Sequence, residues 1–248
     1  MTTPIDTSVP LDLHPEALAP LAGTFAPDDM PGKMGLALGQ AALAEMHDSY
    51  RKIATAASAI QESEHRVVST PAGLRVGRAD LGPLVDAAKA AFDRTARAVD
   101  TRLKSLAEEQ AGLAKRMESV LTEPSRSAVG IAQASEVRTY LRSLEPGKAM
   151  TVALDSMRAG DRVTAAAVLT APPYLSGLDA EKHGELRKLA AATLEPRLNA
   201  AIDGLERITD HVRRASQSYV ALYAKVTRAA NAGPGARAQA ALKELHSV

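Results

Sequence analysis

Between Leu81 and Thr122, apolar side chains return every seven residues. Phe92, Val99, Leu106, Leu113 and Val120 form one series, and Ala96, Leu103, Gln110 and Met117 form a second, offset by four and three. That is a heptad pattern, which places both series on one stripe of a helix. At 1.5 Å rise per residue, about forty residues make a helix roughly 60 Å long. Such a helix has to cover its stripe against other helices, so the rest of the chain is expected to serve as its packing.

Two further stretches carry the same period. From about Lys33 to Arg66, Leu43, Tyr50, Ala57 and Glu64 lie seven apart, with Met46, Ile53, Ile60 and Val67 as the partner series. From about Leu178 to Asn231, Leu198, Leu205, Val212, Tyr219 and Val226 mark one seam, and Leu194, Ala201, Ile208, Ala215, Leu222 and Ala229 mark the other. Pro196 should kink or restart this last helix, because proline removes a backbone donor and clashes with the preceding turn. The first two helices are joined across Val67 to Leu81, where Pro71, Gly73, Gly77 and Gly82 interrupt the pattern. An irregular elbow is expected there, with a short hairpin of His65–Ser69 against Leu74–Gly77 as the alternative. Long seamed helices joined by a short elbow imply an antiparallel hairpin. The expectation is therefore an all-α, elongated antiparallel helical hairpin or bundle with an extended N-terminal arm. Its parts are an arm over 1–32, the hairpin over 33–122, short helices over 123–177, and a long C-terminal helix with a short tail helix over 178–248.

The short-helix region reads as Arg126 to Leu144, Lys148 to Ala159 and Asp161 to Thr170. In the first of these, Val129, Ile131, Val137, Tyr140, Leu141 and Leu144 make the helix amphipathic. The arm has six of the fourteen prolines, five Asp and Glu, and no Lys or Arg. Prolines every five or so residues rule out a long helix and favour extended or polyproline II backbone, with a short turn near Glu16 to Leu21. Leu11, Leu13, Leu18, Leu21 and Phe25 are its candidate anchors on a neighbouring subunit. The candidate seam contacts are Phe92, Val99, Leu106, Leu113, Val120, Leu205, Val212 and Tyr219.

Composition narrows the kind of core. There are two Phe, five Tyr and no Trp, while alanine is about a fifth of the chain, well above ordinary usage. Alanine has the best helix propensity and lets helices approach closely, so thin helix seams are expected. With 30 basic and 29 acidic residues interspersed, no dedicated nucleic-acid surface is indicated. The absence of cysteine removes disulfides, thiolate metal sites and a thiol nucleophile. No apolar run approaches a membrane span, and the first basic residue, Lys33, comes too late for a signal peptide.

Chemistry-bearing motifs are sparse. Glu62-x-x-His65 has the spacing of half a carboxylate-bridged di-iron site, but no second such pair exists. No Walker loop, Rossmann fingerprint or Gly-x-Ser-x-Gly elbow occurs. The clusters Arg207, Arg213, Arg214, Lys225, Arg228 and Arg102, Lys104, Lys115, Arg116 have Asp and Glu beside them, so they read as solvated helix faces, with contact to packaged or passing nucleic acid as the lesser alternative. No catalytic residue, metal ligand or cofactor site is expected.

Val168 to Arg187, with its Pro173-Tyr-Leu-Ser-Gly-Leu178 turn and acidic helix start, resembles a segment of uncharacterised proteins from tailed bacteriophages and prophages. The resemblance covers about twenty residues and implies a virion structural or assembly protein, made in the bacterial cytoplasm. The resulting expectation is a non-enzymatic subunit that oligomerises through its seams, latches neighbours with its arm and meets other structural proteins. The alternative is an amphipathic coat or adaptor on a lipid or polymer surface, or in a cytoplasmic complex.

Overall fold

The computed structural model describes residues 8–64, 68–70, 73–75 and 82–232. It is all-α. The helices are α1 (Met30–Glu64), α2 (Gly82–Thr122), α3 (Ala128–Ser143), α4 (Pro146–Arg158), α5 (Arg162–Leu169), α6 (Ala180–Leu194) and α7 (Pro196–Ala232). The elbow between α1 and α2 carries a two-stranded antiparallel ribbon, β1 (Val68–Thr70) and β2 (Gly73–Arg75), with Ser69 opposite Leu74. The hairpin alternative thus describes this segment better than an irregular elbow. The expected tail helix and His65 lie outside the described residues.

The chain divides into two compact units that do not follow sequence order. The first takes in residues up to Pro20, Leu36–Leu106 and the chain from Ile208 onward. The second takes in Leu21–Gly35 and Ala107–Arg207. The four consecutive segments expected from sequence are therefore replaced by two discontinuous ones. The reason is that the helix seams pair residues far apart in the chain.

In the first unit, α1 and α2 run antiparallel. Glu45 pairs with Arg102 at 2.6 Å, whereas the later Ser49 lies beside the earlier Thr95. The α7 segment runs parallel to α1, since Gly39 meets Ile208, Met46 meets Ser216 and Ser49 meets Tyr219. Gly39 is dictated by this approach, because a Cβ there would fall 2.5 Å from Ile208 Cγ2 and 2.9 Å from Leu18 Cδ1.

In the second unit, α3 packs on α5, and α4 packs on α5 and α6. Met117, Leu141, Met157, Val168, Leu186 and five alanines of α4 to α6 belong to one apolar core. Short helices need their ends satisfied. Asp161 caps α5 by accepting from Val163 N and Thr164 N, and Asp179 caps α6 by accepting from Lys182 N. Arg162 closes the other end of α6, donating to Leu194 O at 2.9 Å and pairing with Glu195 at 2.8 Å. Glu195 leaves helical geometry because the residue before a proline is pushed out of the α region. Pro196 then occupies the first position of α7, where its missing N–H costs nothing. The restart expected at Pro196 is therefore a break between two helices, α6 and α7.

Candidate interaction surface

Among its described residues, the arm is not extended. Leu11–Leu13 and Pro15–Thr24 are 3-10 helices, the second with Pro20 inside it. Proline fixes φ near −65°, which suits a 3-10 helix as well as polyproline II. The prolines excluded a long α-helix, but they did not choose between those two.

The expected anchors are filled from within the chain. Leu13, Leu18, Leu21 and Phe25 are buried, and Leu11 alone is 67% exposed. In the first unit, His211 Nε2 donates to Asp12 O at 2.9 Å, and Ser218 Oγ donates to Asp12 Oδ2 at 2.6 Å. His14 meets His47 edge to face, with ring centres 4.7 Å apart. In the second unit, Phe25 lies against Gly204, where a Cβ would come 2.8 Å from its ring. Only Leu11 among the five is placed to reach a neighbouring subunit, so the latch expected of all five is corrected to an internal clasp.

The seam residues are covered in the same way. Val99, Leu106, Leu113, Leu205, Val212 and Tyr219 are buried, and Phe92 and Val120 are half-buried. Phe92 stacks on Tyr219 and Tyr223 with ring centres 5.2 and 4.2 Å apart. The Tyr219 hydroxyl shares a 2.6 Å hydrogen bond with Ser49 Oγ. Burial holds the Tyr219 hydroxyl above its ordinary pKa, against the opposing effect of hydrogen bonds from Ser49 and Thr95. Most seam residues are thus covered within one chain.

What remains outside includes several of the apolar residues that make α3 amphipathic. Of the apolar residues of α3, Leu141 is buried, but Val129 is 68%, Ile131 57% and Tyr140 56% exposed. Val129 and Tyr140 are three turns apart and fall within about 20° of each other around the helix. The buried positions Gly130, Ala134 and Leu141 define a different face. Tyr174, in the 3-10 turn after α5, is 70% exposed.

Polar clefts are shallow by comparison. In the first unit a groove of about 380 Å³ between α1 and α2 has Ser49 and Thr95 among its lining, with Glu45, Asp48, Lys52 and Arg94 around them. In the second unit a cleft of about 290 Å³ has Leu113, Leu198 and Ala201 among its lining, with Arg116, Arg197 and Asp28 alongside. Each mixes both signs of charge, and no nucleophile–base pair converges in either. Among the described residues, no three His, Asp or Glu side chains are grouped to hold a metal ion. No described helix is long and apolar enough to cross a membrane.

No family model, curated protein sequence or solved structure matches this chain. Its function therefore has to be argued from its own surface.

Proposed function

We propose that this chain is a non-enzymatic structural subunit of a larger assembly, and that the assembly is a tailed-phage particle. The observation that carries the reading is that α3 leaves three large apolar side chains exposed, Val129 and Tyr140 on one side of the helix and Ile131 on the other, while the seam residues are covered. Exposed apolar side chains of this size are available for another protein to cover. The exposed apolar side chains of α3 supply the contact to a second copy or to other structural proteins. The virion placement is supported by the resemblance of residues 168–187 to phage and prophage proteins. A coat on a lipid or polymer surface would need the seams to open, at the cost of exposing Leu106, Leu205 and Val212.

Absolute mass by light scattering tests self-contact. Wild-type chain at about 100 μM is expected to form a defined oligomer, since that concentration lies well above a micromolar Kd. Val129→Ser, Ile131→Ser and Tyr140→Ser together should return it to a monomer without loss of helicity. A wild-type monomer at that concentration overturns self-association through α3. Absence of the chain from purified particles of its phage, by mass spectrometry, overturns the virion placement.

A further inference from the structure

The balanced net charge hides a polarised end. From His211 to Lys243 the sequence holds six Lys and Arg and no Asp or Glu. The interspersion of charge that argued against a nucleic-acid surface therefore stops at Asp210. In the described part of this run, Arg213, Arg214, Lys225 and Arg228 are all exposed on α7.

Helix geometry gathers three of them. At about 100° per residue, Arg214, Lys225 and Arg228 lie within roughly 60° of arc, and they span about 21 Å along the axis. The buried seam residues Val212, Tyr219 and Val226 lie on the opposite side of the helix. The nearest acids lie at the edges of this arc, Asp210 one turn before Arg214 and Asp12 against Ser218, and each already has a partner. Asp210 pairs with Arg213 at 3.7 Å, and Asp12 accepts from Ser218. Asp93 of α2 acts on Tyr219, on the seam side. Arg214 and Lys225 meet no carboxylate within ion-pair distance among the described residues, and Arg228 Nε donates to Ala224 O of its own helix.

We infer that this face of α7 is a contact for the phosphate backbone of nucleic acid, held by charge and not by base sequence. The side chains between the cations are Gln217 and Ala221, short or polar groups that let a phosphate strand approach, while Ser218, held by Asp12, bounds the arc on one side. No aromatic side chain lies on this arc to stack a base, so sequence preference has no source here. A lipid surface would call for apolar anchors among the cations, and Val220, the exposed large apolar residue nearby, lies outside the arc. One strand of duplex DNA presents a phosphate about every 3.4 Å of axis, hence about six over the length of the stripe.

Fluorescence anisotropy of full-length chain with a labelled 20-base-pair duplex tests this. Three phosphate contacts predict a slope of log K against log salt of about −2.7, a loss of about fortyfold between 50 and 200 mM salt. The variant R214Q/K225Q/R228Q should lose binding tenfold or more while keeping wild-type helicity. K115Q/R116Q/K188Q, which removes as many exposed cations from α2 and α6, should retain it. Two duplexes of unrelated sequence should bind alike. No binding at 50 mM salt, equal loss in both variants, or tighter binding to anionic vesicles than to duplex would overturn the assignment.

Discussion

The two units bury their surfaces by different means. The first joins long helices through large and partly polar side chains: the Phe92–Tyr219–Tyr223 stack, the Ser49–Tyr219 hydrogen bond, the Glu45–Arg102 pair and the histidines that clasp the arm. The second joins short helices through alanines and a few large aliphatics, with carboxylates capping α5 and α6 and a Glu118–Arg187 pair between α2 and α6. A long helix is stabilised along its length by repeated seam contacts. A short one loses a larger fraction of its hydrogen bonds at its ends, so capping residues matter more to it. Substitutions should therefore separate the units by mechanism.

The largest effects should be shared, because both units depend on close packing. Leu43→Ala in the first and Leu186→Ala in the second each remove a fully buried side chain. Each is expected to cost about 3 kcal/mol, measured by urea denaturation. A loss below about 1 kcal/mol at Leu186 alone would mean that the alanine-lined core collapses around the cavity, and would sharpen the contrast.

A smaller effect should be specific to the first unit. Tyr219→Phe leaves Ser49 Oγ without its partner in a buried site, a cost of about 1–2 kcal/mol. The pH response carries its own sign. The folded state holds the Tyr219 proton more tightly than the ordinary value of 10.0, because burial disfavours the phenolate. This contribution is complete below pH 10.0 and is lost as pH rises through the folded value. Wild-type stability should therefore fall on the alkaline side, and Tyr219→Phe should flatten that fall. An unchanged alkaline limb would place the titration elsewhere.

The same contrast explains what the sequence discloses. The seam of the first unit repeats every seven residues, so Val99, Leu106, Val212 and Tyr219 could be named as buried before any coordinates. Their closure within one chain could not, because Ser49 and Tyr219 are 170 residues apart and sequence period does not name a partner. In the arm, the leucines were legible as anchors, but proline's φ is common to extended and 3-10 backbone. Its seat on His211 and Ser218 was hidden by distance along the chain. On α3 the sequence shows an amphipathic pattern without saying which apolar residues face inward. The helical angle sets Val129 and Tyr140 away from the buried Ala134 and Leu141. The cationic arc of α7 was visible in composition, but its significance depended on knowing which carboxylates were already engaged.

Gly177 sits between the 3-10 turn and α6 with φ +71°, in the left-handed region. Gly177→Ala is expected to cost about 1 kcal/mol in the second unit, since a Cβ strains that backbone. Thermal denaturation would register it as a small drop in Tm, and no drop would show that the turn relaxes.

The smallest expected effect is also the most particular to capping. Asp161 accepts from Val163 N at 2.9 Å and Thr164 N at 3.0 Å, and from Thr164 Oγ1 at 2.5 Å. Burial pushes its carboxyl up, but the bonds from the Thr164 side chain and from the two backbone N–H groups outweigh it and hold the carboxyl below 3.8. The capping contribution is therefore present above pH 3.8 and fades as pH falls through the lower folded value. Asp161→Ala should cost about 1 kcal/mol near neutrality and progressively less in acid, so the wild-type and variant curves converge at low pH. Asp161→Asn keeps an oxygen acceptor and should recover most of the loss while removing the acid dependence. Parallel curves for Asp161→Ala and wild type down to pH 2 would show that the shape of the turn holds α5, and not its ionised cap. The second unit would then depend on its ends no more than the first does.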